Sequence, residues 1–283
     1  MTHPVKRRLT ALAGVAGGVL LLSGCSGETV EQWKRLGLPE GASDRTDAIE
    51  SLWVGAWTAA LIIGALVWGL ILWAVVRYRR RDEDAPKQVR YNLPLEALYT
   101  LAPFAIIGAL FFYTETTNDE VTASSGDPSH TVHVVGQQWQ WTFNYSDQVP
   151  GEAEAGVWET GTLEDPAELW LPVDEVVKFE LTSPDVIHSF WVPAFYFKKD
   201  VIPGRPNSFE LTPTRTGTFA GKCAELCGLY HSRMTFSVRV VSKAEYDAHL
   251  KELAEKGQTG VAVGGEDATT ISGRGEGQTE GEK

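Results

Sequence analysis

Sulfur is scarce in this chain. Its 283 residues include three cysteines and two methionines, one of them Met1. That is too few for a disulfide-dense scaffold, in which cross-links stand in for a core. Positive charge is also in short supply: 25 Lys and Arg stand against 37 Asp and Glu, a net charge of -12. Such a balance offers no basic face to phosphate, which excludes nucleic acid as a partner. The imbalance extends to residues 115–241, which hold 18 acids and 8 bases. No repeat of roughly 20–50 residues is visible, so solenoids and propellers are excluded.

Charge is missing altogether from residues 51–76, SLWVGAWTAALIIGALVWGLILWAVV. As a helix rising about 1.5 Å per residue, that run reaches roughly 39 Å, enough to cross a bilayer with some tilt. Four arginines lie between Arg77 and Arg81, and positive flanks stay on the cytoplasmic side. A second uncharged run, ALYTLAPFAIIGALFFYT, covers 97–114; Pro103 inside it predicts a kink. Together they predict a two-helix transmembrane hairpin over 51–114, with a cytoplasmic loop at 77–95 and everything after Glu115 outside. The alternative, two buried helices of a soluble core, gives the arginine flank no role. Trp53, Trp57, Trp68 and Trp73 fit lipid contacts or interface anchors.

At the N-terminus, Lys6, Arg7 and Arg8 precede a short apolar core that ends in LSGC at Cys25. This reads as a lipoprotein signal peptide over 1–24, with Cys25 as the lipidated residue and 25–50 as an extracytoplasmic segment. An ordinary signal peptide with a chance cysteine is the alternative.

Beyond Glu115 the apolar period changes to two. Trp139, Trp141, Phe143 and Tyr145 alternate, as do Val177, Phe179 and Leu181, and Met234, Phe236, Val238 and Val240. Turn-rich stretches such as IPGRPN separate these strands, so 115–241 reads as a small antiparallel β-sandwich or barrel. A closing helix over 242–257 starts at a capping box of Ser242 and Glu245 and stops at Gly257. Residues 258–283 carry too little apolar surface to fold and are expected to form a disordered tail.

The scarce sulfur is concentrated in GKCAELCGLYHSRM, residues 221–234. Cys223, Cys227, His231 and Met234 are soft donors, and His188 in PDVIHSFWVP offers another imidazole at a strand end. Zinc takes Cys and His but seldom a thioether, whereas copper takes all three. The competing readings are a disulfide between the two cysteines and a methionine used only for packing. Two thiolates can bridge two copper ions, and a donor set with no open position suits relaying electrons more than making bonds. Neither span carries a histidine, so haem chemistry requires a partner chain.

Residues from about 45 to 256 resemble subunit II of haem–copper cytochrome c oxidase. The resemblance rests on the hairpin and on PLEALYTLAP, GQQWQWTF, SPDVIHSFWVPAF, IPGRPN and GKCAELCGLYHSRM; the last resembles the family's dinuclear copper (CuA) motif. It implies a membrane α-helical hairpin plus an all-β, cupredoxin-like extracytoplasmic domain in a bacterial cell membrane. It also implies a proton-pumping complex in which this subunit accepts electrons from cytochrome c and passes them to haem in subunit I. Cys223 and Cys227 would bridge the coppers, and His188 and His231 would each ligate one. Met234 would complete one shell and the Glu225 carbonyl the other, while the Glu225 carboxylate would reach a magnesium or manganese ion at the border with subunit I. Trp139 would take the electron from cytochrome c, with strand packing as its plainer reading. Glu96 would stand at the mouth of a proton channel into subunit I, with an interfacial acid as its plainer reading. The sequence departs at Gln140, where many members carry tyrosine. Residues 147–175 hold nine acids and no Lys or Arg; they are expected either to form a solvated loop or to steer a basic cytochrome donor, free or membrane-bound. A copper chaperone on a thioredoxin-like domain, a copper-free quinol oxidase subunit II, and a zinc- or disulfide-stapled domain are the rivals.

Overall fold

Two long helices carry the uncharged runs. In this computed structural model, which describes residues 27–79, 89–147 and 156–262, a short helix α1 (Gly27–Lys34) belongs to a separate unit ending at Glu40. Helix α2 (Thr46–Arg77) and helix α3 (Leu93–Thr122) are long and apolar enough to cross a membrane. None of the most apolar stretch of either helix is buried, and Trp68 is 65% exposed. A soluble core would cover such surface, so burial within the protein is not what these helices serve.

Both helices outrun the apolar stretches. Helix α2 gains a first turn with Asp47, whose charge suits the positive helix start. Helix α3 begins before residue 97 because Asn92 and Glu96 cap it reciprocally. Asn92 Oδ1 accepts from the Leu95 N–H at 3.3 Å, and Glu96 Oε1 accepts from the Asn92 N–H at 2.9 Å. The helix continues through Pro103 and ends in the polar turn before Ala123.

Past the hairpin, ten strands among the described residues form two five-stranded sheets that face each other. They are β1 (His130–Gln137), β2 (Gln140–Tyr145), β3 (Val157–Thr160), β4 (Glu168–Pro172), β5 (Val177–Thr182), β6 (His188–Val192), β7 (Phe197–Val201), β8 (Asn207–Leu211), β9 (Gly217–Cys223) and β10 (Thr235–Val241). The sheet orders are β3-β2-β1-β5-β8 and β4-β10-β9-β6-β7. Trp141, Phe143, Phe179, Phe190 and Phe236 fill the space between, with Phe190 stacked on Phe236 at 4.9 Å. The all-β, cupredoxin-like character agrees with the sequence reading, but the pairing is not wholly antiparallel. Strand β1 runs parallel to β5, and β10 runs parallel to β4. Alternation reports which face of a strand is buried; it says nothing about the neighbouring strand's direction.

The closing helix α4 (Lys243–Glu255) starts at the capping box of Ser242 and Glu245 and buries Tyr246, Leu250 and Leu253. The chain does not loosen directly after it. Gln258 accepts from the Trp158 N–H at 3.0 Å, Thr259 bridges Val157, and the Ala262 N–H donates to Asn144 Oδ1 at 2.7 Å. The expectation of a disordered tail from 258 onward is therefore corrected for residues 258–262. Backbone pairing along the free edge of β3 needs no apolar side chains, so composition could not show it.

A joint ties hairpin to sandwich. Ala42 and Asp44 exchange backbone bonds with Ala194, Thr212 and Thr214. The Arg45 guanidinium donates to the carbonyls of Glu120, Ala123 and Glu210 at 2.8, 3.0 and 3.3 Å, placing a cation on the negative end of α3. Glu210 in turn accepts from Ser124 and Ser125, at 2.6 and 2.7 Å from their hydroxyls. Burial works against its charge, but these bonds hold its carboxyl below the usual range.

Candidate metal centre

Strand pairing builds the site. Cys223 closes β9 and faces Phe190 across the ladder, so His188, two residues earlier at the start of β6, lies beside it. The loop from Ala224 to Arg233 then leaves the sheet and returns. The Cys223 N–H donates to the Met234 carbonyl at 2.9 Å, which seals the loop's base with a sulfur ligand candidate on each side. Between them Cys227 and His231 turn inward, His231 from a single 3-10 turn.

The five donors converge. Cys223 Sγ lies 3.8 Å from Cys227 Sγ and 3.8 Å from His188 Nδ1. Cys227 Sγ lies 3.6 Å from His231 Nδ1 and 3.7 Å from Met234 Sδ. Donor atoms of His188, Cys223 and Cys227 fall within 4.8 Å of one another, and all three residues are buried. Both thiols are free, so the disulfide reading does not describe this chain. Met234 packs in the core, and its sulfur also lies beside Cys227. The Glu225 carbonyl oxygen is 3.2 Å from Cys223 Sγ. Glu225 also lines an open cleft with Lys198, Lys199, Asp200 and Arg205.

Charge in the cluster calls for a cation. Contact with Cys227, together with His188 and against the cost of burial, holds the Cys223 thiol down to about 3. Cys227, beside that thiolate and buried, is pushed far above its ordinary range. The pair therefore keeps one negative charge readily and resists a second. Metal coordination favours thiolate over thiol, and this soft S/N donor set fits copper.

The sequence reading missed Asp185. Its side chain, 10% exposed, lies 2.9 Å from His188 Nε2. The same carboxylate accepts from the Gln138 N–H at 2.7 Å and the Val186 N–H at 2.6 Å. A carboxylate on the far nitrogen fixes the ring and leaves Nδ1 to face the sulfurs. Burial opposes both charges, yet the contacts win: His188 titrates above and Asp185 below the usual range. An acid three residues before His188 was the available signal.

Trp139 is not part of a strand. It stands with Gln138 in the turn between β1 and β2, so the alternating aromatic face starts at Trp141. Its indole N–H donates to the Cys227 carbonyl at 3.2 Å, and the Gln138 side chain donates to the same oxygen at 2.7 Å. Gly136 allows Trp141 and His188 to close in: a Cβ there would lie 3.0 Å from the Trp141 ring and 3.4 Å from His188. Glu96 lies at the far end of α3, away from this cluster, as part of the helix cap described above. Cys25 lies outside the described residues, as do Glu152 and Glu154 of the acidic stretch. The other acids there are largely engaged within the protein. Asp147 and Glu175 hold His130, Glu159 contacts His249, and Glu168 pairs with Arg239.

Comparison with known proteins agrees with this geometry. The family described as "Cytochrome C oxidase subunit II, periplasmic domain" matches residues 130–241, and the one described as "Cytochrome C oxidase subunit II, transmembrane domain" matches residues 31–114. The probable cytochrome c oxidase subunit 2 of Streptomyces coelicolor is 45% identical, over 93% of this chain and 92% of its own length. Cytochrome c oxidase subunit 2 of Mycobacterium bovis is 33% identical, over 87% of this chain and 82% of its own length. Among solved structures, the periplasmic domain of subunit II of cytochrome oxidase from Bradyrhizobium japonicum is 31% identical. It covers 46% of this chain and 96% of that domain, with a TM-score of 0.40. With two membrane-length helices, an extracytoplasmic β-sandwich and a buried His/Cys/Cys cluster, this chain belongs to the cytochrome c oxidase subunit II family.

Proposed function

We propose that this chain is the electron-accepting subunit of its oxidase, holding two copper ions outside the membrane. In this reading it takes electrons from cytochrome c and passes them to haem in subunit I, where oxygen reduction drives proton pumping. The carrying observation is the placement of His188 beside Cys223 and Cys227, residues 35 and 39 positions away in sequence. A thioredoxin-like chaperone has no such sandwich, and a copper-free quinol oxidase subunit has no use for five converging donors.

Bound there, the copper pair would supply a one-electron couple with little rearrangement. The residues that would hold it are Cys223 and Cys227 through their thiolates, His188 and His231 through one imidazole each, Met234 through sulfur and Glu225 through its carbonyl. Asp185 fixes His188, and the buried walls exclude water from the sulfurs. Trp139, half-buried and bonded to the Cys227 carbonyl beside this cluster, receives the electron. The Glu225 carboxylate takes a magnesium or manganese ion at the border with subunit I. Glu96 serves the mouth of a proton path at the cytoplasmic end of α3, in addition to its capping role. Cys25, at the end of a lipoprotein-like signal, carries lipid, and mass spectrometry of the mature N-terminus tests this.

The test is a ligand variant in the purified complex. Oxidase carrying His188→Ala should keep its haem and lose oxidation of reduced cytochrome c. Wild-type turnover in that variant overturns the reading.

A further inference from the structure

Trp139 is held from two sides, and only one of them is explained by hydrogen bonding. On the Cys227 side its indole N–H and the Gln138 amide share the Cys227 carbonyl at 3.2 and 2.7 Å. Gly228, with φ of 121°, lets the loop backbone lie close: a Cβ there would come within 3.1 Å of the indole and 3.0 Å of the Gln138 amide. On the His231 side stands Tyr230. Its ring meets Trp139 edge to face, with centroids 4.9 Å apart and planes at 89°. Among the described residues it is the one aromatic ring in contact with Trp139.

Tyr230 is itself braced. The Arg233 guanidinium lies 5.8 Å from its ring centroid, and Arg233 approaches Glu164 at 3.8 Å. The neighbour that could have supplied an aromatic, Gln140, is 2% exposed and buried within the sheet. Edge-to-face pairs fix relative ring orientation as well as burying area. The contact is one between rings, which a phenylalanine would keep.

We propose that Tyr230 is a positioning residue for electron transfer: its ring clamps Trp139 in a fixed orientation against the copper loop. This rests on the reading of Trp139 as the residue that receives the electron. Without the clamp the indole keeps its bond to Cys227 but gains freedom to rock about it. Transfer from a bound donor then slows while the metal cluster stays intact.

The experiment compares Tyr230→Ala, Tyr230→Phe and Trp139→Ala in the purified oxidase by stopped-flow mixing with reduced cytochrome c. Copper content, the copper absorption spectrum and the affinity for oxidised cytochrome c, which can give no electron, are measured alongside. Tyr230→Ala should slow transfer from bound donor by on the order of tenfold, within the range produced by a misplacement of about 1 Å. The copper spectrum and oxidised-donor affinity should be unchanged, and Tyr230→Phe should restore the rate. Wild-type transfer in Tyr230→Ala overturns the inference. So does a loss that comes with an altered copper spectrum or weakened donor binding, because the ring then serves structure or docking. If Trp139→Ala also transfers at the wild-type rate, the reading of Trp139 falls; if only Tyr230→Ala does, the clamp alone falls.

Discussion

Asp185 and His188 are joined by a 2.9 Å contact between a nearly buried carboxylate and a fully buried imidazole. Through the Gln138 N–H the same carboxylate also anchors the turn that carries Trp139. One side chain therefore sets the aim of the His188 ring and the seat of the neighbouring indole.

Removing that carboxylate should weaken the metal site without unfolding the sandwich. Asp185→Asn keeps the shape but loses the charge that favours the His188 Nε2 proton. Partners of this kind are worth about 10–100-fold in metal affinity. Competition with a copper chelator should show a loss in that range, and an unchanged affinity would mean that His188 is held by packing alone.

His130 gives the domain a signed pH dependence. Burial opposes its charge, but Asp147 at 2.5 Å and Glu175 at 2.6 Å raise its pKa above the ordinary 6.5. Tyr246 faces the same ring and donates to Asp147 at 2.8 Å. The folded value exceeds the unfolded one, so this contribution is complete below about pH 6.5 and is lost as pH rises through the folded value. Denaturant unfolding of wild type against His130→Gln should differ by roughly 1–3 kcal/mol at about pH 6, the scale of charge-assisted bonds, and by less at about pH 9. A gap that widens with pH would contradict the assignment.

The joint between hairpin and sandwich depends on Arg45. Arg45→Ala leaves the Glu120 and Ala123 carbonyls without their donor at the end of α3. Each lost charged bond costs on the order of 1.5–3 kcal/mol, so the segment from Ala123 to Ser129 should be cut by protease faster than in wild type. Equal cleavage rates would show that the backbone stitching at Ala42 and Asp44 suffices.

The acids near Trp158 should matter more for folding than for attracting a donor. Glu159 accepts from the Glu168 N–H at 2.8 Å and contacts His249 at 3.2 Å; His249 stacks on Trp170 at 4.2 Å. Glu159→Gln should lower the melting temperature by about 2–4 °C, the shift expected for ~1 kcal/mol in a domain of this size. The salt dependence of cytochrome c oxidation should stay as in wild type. A flattened salt dependence with unchanged melting would restore the steering role.

Much of this was legible in the residues. Apolar length and the Arg77–Arg81 flank marked the hairpin, period-two runs marked strands, and the spacing of Cys223, Cys227, His231 and Met234 marked the metal loop. These are local signals. What stayed hidden depends on contacts across the fold. No local pattern shows that β1 lies parallel to β5, that residues 258–262 line the edge of β3, or that Arg45 reaches the end of α3. Trp139 shares its alternation with Trp141, so periodicity alone assigned a turn residue to a strand. Asp185 stands three residues before His188, but only the fold shows its carboxylate on the far ring nitrogen.

The proposed function stands on a two-copper centre built from His188 and the loop of Cys223 to Met234. Copper counting with electron paramagnetic resonance on the purified oxidase tests it most directly. Two coppers are expected on this subunit, with one unpaired electron shared equally by both nuclei, and that signal should be lost in Cys227→Ser. A single localised copper, or zinc in its place, would contradict it.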